Sequence, residues 1–309
     1  MEKKKREFFT INRTLKDLLF YIVLIAFPLA QFIVFYIVVN FNSILLAFQT
    51  VDLTTGTVEW NVFGNFQAVF EDFFNQYALK KAVENSVLVF FVGFFITTPL
   101  SLLFSFYLFK RNLCYGFFRV MLFLPSIVSS VVMVLMYQFF VESAVPTIIY
   151  DLFQKYIPGL IENVDTRFVT IIFYNIFMGF GMSTILYNDA MNSIAPEIIE
   201  SAQIDGAVGL REFWHIIMPS IWPTFGTFLT VGVAGIFTNQ FCLYSFFSEY
   251  ASPEVSTLGY WMYVKTLAAQ GSRSEYSYLA AMGVILTLFT IPLVFVLRKL
   301  ITKYGPKED

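Results

Sequence analysis

Six long runs of apolar residues, nearly empty of charge, limit this chain to a narrow set of folds. The first, Leu18 to about Phe48, contains no Asp, Glu, Lys or Arg. The hydrocarbon core of a bilayer takes about 20 apolar residues of helix to cross. This run is longer than the apolar core of a signal peptide and has no clear small-residue cleavage site, so it reads as an uncleaved span. Runs of the same kind cover about 86–109, 117–140, 168–187, 221–247 and 276–297. Composition agrees: 57% of residues are hydrophobic and 14% charged, where a soluble domain would carry about a quarter charged. The expected fold is an all-α membrane protein with six transmembrane helices, one domain over 1–309.

The segments between the runs give it sidedness. Residues 1–17 are a basic tail, and fourteen of the 20 Lys and Arg fall in the two tails, the 110–119 loop and the segment after the fourth run. Loops at 51–81, 142–167 and 248–275 hold the other six: Lys80, Lys81, Lys155, Arg167, Lys265 and Arg273. Basic residues accumulate on the cytoplasmic side, so both termini are expected there. The 51–81 loop has room for a short helix near Phe66–Phe74.

Several chemistries are excluded. No G-x-x-x-x-G-K-[ST] occurs, so any ATP and Mg must be held by another chain, and this one carries no cofactor. His215 is the single histidine, which opposes a catalytic triad and leaves a solvated or capping imidazole. Cys114 and Cys242 lie far apart and suggest neither a disulfide framework nor a metal site. No basic patch with interleaved aromatics points to nucleic acid. The centres of the spans lack ionisable groups, which ion-coupled carriers need.

Between the fourth and fifth runs, residues 194–219 are too polar to cross a membrane. Pro196 suits the first turn of a helix and Glu197 complements its dipole. Ile198, Ile199, Ala202 and Ile204 alternate with carboxylates and amides to give one apolar face. Gly206 is a helix stop that calls for φ > 0, and a second short helix is expected from about Leu210 to Met218. Two short helices bent around a glycine make a knob, with Ile, Phe213 and Trp214 exposed to a partner.

These residues carry a resemblance. Glu200-Ser201-Ala202, Asp205-Gly206-Ala207, Phe213, Ile216, Pro219 and Pro223 resemble the EAA loop of binding-protein-dependent ABC importer permeases. Among these the carbohydrate type, similar to the larger maltose-transporter permease, is nearest. Ser201 stands for the usual first alanine and Met218 for the usual leucine. The resemblance implies that the loop is a cytoplasmic coupling hairpin between helices 4 and 5, docking on an ATPase subunit through Glu200, Ser201, Ala202, Asp205, Gly206, Ala207 and Phe213. Pro253, Thr257-Leu258, Tyr260 and Tyr263 match a further family pattern, although Ala251-Ser252 replaces its customary Gly-Gly.

Polar residues inside the spans are hydroxyls and amides. Ser126 and Ser130 lie four apart, the spacing of one helix face. Asn175 and Gly179 share that spacing, and Asn239-Gln240 sits inside the fifth run. Such groups also serve as interhelical glue, at about 0.5–2 kcal/mol each. In the maltose-type family the fourth-span cargo contacts, measured back from the EAA loop, fall on Asn175 and Gly179, the pair after its Leu-Pro on Ser126 and Ser130, and its Asn-Asn-Phe on Asn239, Gln240 and Phe241, which implies a shared cavity for sugar hydroxyls. The expected function is then the permease half of an ATP-driven sugar or oligosaccharide importer, not itself an enzyme. Its expected partners are a second, different permease, ATPase subunits, an extracytoplasmic solute-binding protein and membrane lipid. It belongs in a bacterial or archaeal plasma membrane. Alternatives are an importer of another neutral or zwitterionic solute, such as an amino acid or polyamine derivative, and a channel or ion-coupled carrier.

Overall fold

The computed structural model describes residues 2–51, 57–270 and 272–306, and for residues 2–15 and 51 the backbone only. Of the loop expected at 51–81, residues 52–56 lie outside the described residues, as does the C-terminal tail from 307. Helix α1 runs from Glu2 to Gln31 and continues through a wide π turn, Phe32–Val38, into Val39–Leu46. A two-stranded antiparallel ribbon follows, β1 (Gln49–Val51) and β2 (Val58–Trp60). Next come α2 (Gly64–Asn75), α3 (Tyr77–Phe109), α4 (Tyr115–Ile127), α5 (Ser130–Phe153) and α6 (Val164–Asn192). The chain closes with α7 (Pro196–Ile204), α8 (Leu210–Ser220), α9 (Trp222–Ala234), α10 (Leu243–Phe247), α11 (Leu258–Ala268) and α12 (Arg273–Tyr304).

The helical membrane fold read from the sequence is present. Among the described residues, five helices are long and apolar enough to cross a bilayer: Lys16–Leu46 of α1, α3, α5, α6 and α12. The pair α8 and α9, bent by 71°, makes a sixth if it is one span. Three expectations are corrected. The third run is not one helix, because Val128 and Ser129 are extended (ψ 141° and 136°) and separate α4 from α5. The fifth run leaves helical geometry over 235–242, between α9 and α10. The loop expected at 142–167 is mostly helix, since α5 continues to Phe153.

That last correction has a local cause. Pro146 looks like a loop signal, yet it sits two residues beyond a π turn, Phe140–Ala144. Pro99 follows the π turn Gly93–Thr97 at the same spacing, and Pro219 follows Phe213–Ile217 likewise. A helical proline clashes with the carbonyl four residues back and withdraws one N–H. In all three cases that carbonyl belongs to the widened turn, so the helix absorbs the proline.

The chain divides into two compact units. The first holds residues 1–69 and 271–285. In it, the Asn65 side chain donates to the carbonyls of Ala47 and Gln49, both at 2.9 Å, and ties the start of α2 to the ribbon. Phe48 and Phe66 pack 5.2 Å apart beside it.

The second unit holds residues 70–270 and 286–309. Its centre is the pairing of α3 with α6, built on small hydroxyl residues that let the backbones approach. Ser105 donates to the Thr184 carbonyl at 2.7 Å, and Asn188 donates back to the Ser105 carbonyl at 3.2 Å. At Gly181 an added Cβ would lie 2.7 Å from the Leu122 carbonyl, so α4 crosses α6 at a contact only glycine permits. One buried cluster gathers Val134, Ile171, Tyr174, Phe241, Leu243 and Phe246; a second gathers Leu102, Tyr187, Met191, Phe213 and Ile217.

Candidate functional site

A cavity of about 490 Å³ opens within the second unit, walled by α3, α6, α9, the irregular 235–242 segment and the start of α11. Its size falls in the range of about 300–1,000 Å³ usual for small-ligand sites. The lining contains no Asp, Glu, Lys or Arg. Its polar groups are Ser86, Thr97, Thr98, Ser183, Thr257, Tyr187, Asn175 and Asn239. Gly93, Gly179, Gly232 and Gly235 also line it. An added Cβ meets nothing within 4 Å at Gly93, and no atom nearer than 3.8 Å at Gly179. The space therefore exists partly because side chains are missing from it.

Segment 235–242 forms the most unusual wall. Backbone that leaves helical geometry must meet its polar groups by other means. Turn hydrogen bonds run from the Thr238 and Asn239 N–H groups to the Gly235 carbonyl at 3.2 and 3.1 Å, and side chains supply further partners. Asn175 donates to the Phe241 carbonyl at 3.2 Å and to the Ile171 carbonyl at 2.9 Å. Thr257 donates to the Asn239 carbonyl at 2.9 Å. Asn239 turns its own carbonyl oxygen Oδ1 onto the Phe241 N–H at 2.8 Å, an Asx turn. Phe241 and Cys242 both take positive φ, 55° and 58°. At Gly259 a Cβ would stand 2.5 Å from the Thr238 carbonyl, so α11 begins directly against this segment.

The loop before α11 is fixed in the same manner. Asn85 donates to the carbonyls of Glu254 and Ser256, each at 2.9 Å, and Ser86 accepts the Leu258 N–H at 2.8 Å. Tyr260 donates to the Ser248 carbonyl at 2.9 Å and accepts from the Ala251 N–H at 3.0 Å. Burial raises its phenol above the ordinary range, so it remains a donor.

The second feature is the hairpin of α7 and α8. Helix α7 ends in a complete Schellman motif: the Ala207 N–H reaches the Ala202 carbonyl at 2.9 Å and the Gly206 N–H reaches the Gln203 carbonyl at 3.1 Å. Gly206 takes φ +79° there, as its place in the sequence implied. Glu200, Ser201, Asp205 and Gly206 are exposed, Ala207 is half-buried and Ala202 is buried. Ile198, Ile204, Val208 and Trp214 are exposed, Ile204 at 86%. Phe213 corrects the expectation: it is 1% exposed, its ring tilted by 51° against that of Phe106 with centres 5.3 Å apart, in the second cluster. The π turn begins at Phe213, and its register sends Phe213 and Ile217 inward together. His215 is exposed, with Nδ1 3.0 Å from the Arg211 carbonyl.

Of the seven residues read as cargo contacts, Asn175, Gly179, Asn239 and Phe241 line the cavity; Ser126, Ser130 and Gln240 do not. Ser126 and Ser130 are separated by the break after Ile127, so their spacing no longer puts them on one face. Both are exposed, and Ser126 donates to the Phe123 carbonyl at 2.7 Å. The cavity also uses Ser183 and Thr97, which the sequence reading missed. Their only sequence signal is a hydroxyl inside an apolar run, too common in this chain to select them.

The family model for the binding-protein-dependent transport system inner membrane component matches residues 90–306. Among curated proteins, the chain is similar to the multiple sugar-binding transport system permease MsmF of Streptococcus mutans, 27% identical over 191 residues, 60% of this chain and 63% of that protein. It is 29% identical over 125 residues to the polygalacturonan/rhamnogalacturonan transport permease YteP of Bacillus subtilis, 40% of this chain and 38% of that one. The matched stretches thus span less than two thirds of these relatives. The arabinooligosaccharide transport permease AraP of Bacillus subtilis is 21% identical over 277 residues, 87% of this chain and 84% of that protein. In fold, the chain resembles a subunit of a bacterial ABC transporter involved in alginate import, with TM-score 0.76 and 19% identity over 94% of this chain and 97% of that one.

Proposed function

The chain belongs to the binding-protein-dependent transport system inner membrane components, and from that premise we propose that it is the permease half of an ATP-driven importer of a sugar or oligosaccharide. The observation that carries this reading is the cavity: uncharged, lined by amides and hydroxyls, and abutting an interrupted helix. Discontinuous membrane helices place unpaired backbone and side-chain groups beside cargo. Here the amides of Asn175 and Asn239 each spend one end on the fold. The opposite ends, Oδ1 of Asn175 and Nδ2 of Asn239, are left to accept from and donate to cargo hydroxyls. Sugar-transporting relatives support the cargo class.

The α7–α8 hairpin is the coupling element, with Ile198, Ile204 and the turn around Gly206 presented to an ATPase subunit and Glu200 as a polar contact at its edge. Both termini then lie on the cytoplasmic side. A second permease completes the pathway, and a solute-binding protein delivers cargo at the opposite face; one structural relative is an alginate transporter in complex with its oligosaccharide-bound periplasmic protein. The test is uptake of labelled oligosaccharides by cells carrying the chain with its partner subunits. Uptake should survive a protonophore, stop on ATP depletion and fall at least tenfold in Asn239→Ala. Uptake abolished by the protonophore at constant ATP would favour an ion-coupled carrier and defeat the proposal.

A further inference from the structure

Glu212 is the most deeply buried carboxylate among the described residues, at 0% exposure, and the cargo cavity makes no use of it. Both its carboxylate oxygens lie 2.7 Å from Lys110 Nζ, and Oε1 takes the hydrogen bond. Lys110 caps the C-terminal end of α3. It also stands 5.9 Å over the ring of Phe106, one turn earlier on that helix. Phe106 in turn packs against Phe213, the residue after Glu212. Two adjacent residues of the hairpin therefore grip two residues of α3 spaced by one helical turn, one through charge and one through rings.

A buried ion pair is a poor choice for stability alone, because apolar residues of similar volume serve as well or better. What it adds is direction: a carboxylate against a single ammonium tolerates little sliding, whereas rings can slip. The far portion of α3 supplies one wall of the cavity, from Ser86 to Thr98. Thr98 and Lys110 are separated by about 18 Å of helix. Two covalent routes join hairpin and cavity, the unbroken α6 before it and α8 into α9 after it, the latter bent by 71°. Helix α3 has no covalent link to the hairpin and meets it only through these side-chain contacts.

We infer that Lys110 and Glu212 form a positioning pair that locks the hairpin to α3, so that the cavity wall on α3 follows the hairpin when it moves. This inference rests on the coupling role proposed for the hairpin. The lock itself is a property of the chain alone and is tested without ATPase or cargo.

The full chain, with Cys114 and Cys242 replaced by serine, would carry spin labels at Val208→Cys on the exposed turn and Phe91→Cys on the outer face of α3. The distance distribution is then read by pulsed electron resonance in lipid nanodiscs. The parent chain and Lys110→Arg, which keeps the pair, should give one narrow peak. Glu212→Gln, which keeps volume and removes charge, should at least double the peak width. Lys110→Met with Glu212→Leu leaves no charge stranded, so it should express and insert like the parent while still giving the broad distribution. A parent-like narrow peak in both Glu212→Gln and the double variant would overturn the inference. If the pair only stabilises the fold, the apolar double variant restores the narrow peak, which overturns it equally. Failure of the functional reading would show elsewhere, as a parent chain that captures no ATPase subunit.

Discussion

Two of the helix interruptions in the second compact unit are solved by different means. At 205–209 the chain turns where its groups are exposed, and a positive-φ glycine with two backbone hydrogen bonds suffices. At 235–242 the chain leaves helical geometry, and its backbone is bonded by Asn175 of α6, by Thr257 just before α11 and by its own Asn239. The difference lies in what borders each site. The 205–209 turn closes with local geometry, whereas the 235–242 segment abuts α6 and the start of α11, whose side chains reach its carbonyls. The polarity of the two sites differs accordingly. The turn displays Ile204 and Val208, while the other segment gathers amides and hydroxyls around a cavity.

The sharpest way to break this contrast is at Gly259. Thr238 and Asn239 backbone atoms lie 2.5–2.7 Å from where its Cβ would be, and backbone cannot swing aside as a side-chain tip can. Gly259→Ala should push the 235–242 segment out of place at a cost of about 3 kcal/mol or more, read as a large drop in folded yield and melting temperature. A parent-like melting temperature would mean that α11 does not hold this segment. Asn175→Ala comes next. It strips the side-chain donor from the Phe241 carbonyl, and leaving such a group unmet costs about 1–3 kcal/mol. Both stability and uptake should fall, whereas Asn175→Asp, which keeps Oδ1 and loses the donor, should lose stability and retain more uptake. Equal loss of uptake in the two variants would show that the Asn175 Oδ1 has no part in binding cargo.

These residues also show what was legible beforehand. The spans that stayed unbroken, the two short helices after α6 and Gly206 were readable because each rests on local physics: run length, capping and the freedom of glycine at φ > 0. Asn175 and Asn239 were found as amides out of place in apolar runs. The double duty of Asn175 was not, since it depends on a carbonyl 66 residues away in sequence. The burial of Phe213 escaped because it depends on Phe106, a residue of a different helix far earlier in the chain that no local pattern announces. Likewise Pro146 read as a loop signal because nothing in its neighbours announces the widened turn ahead of it.

At the exposed turn the effect should be smaller. Nothing lies within 4 Å of a Cβ at Gly206, so a side chain there meets only the strain of φ +79°. Left-handed geometry costs about 1–2 kcal/mol in residues with a Cβ, and β-branched ones suit it least. Gly206→Val should leave membrane insertion and the cavity intact while it weakens capture of the ATPase subunit. Gly206→Asn, which tolerates the left-handed region, should recover most of that capture. Unchanged capture and uptake in the valine variant would remove this turn from the docking surface.

The smallest effect is expected at Ser126, and it tests how far the enclosed site extends. Its hydroxyl is exposed and bonds only to the carbonyl three residues back in its own helix, so Ser126→Ala should change stability by less than about 0.5 kcal/mol. Neither Ser126 nor Ser130 lines the cavity, and the break at Val128–Ser129 turns them onto different helices. If cargo is bound by this chain's cavity alone, uptake by Ser126→Ala and Ser130→Ala should match the parent, in contrast to the tenfold loss expected of Asn239→Ala. A loss of uptake in the serine variants at unchanged melting temperature would place the α4–α5 break on the cargo path. The break would then join 235–242 as a second interrupted wall, one closed by the other permease rather than by this chain.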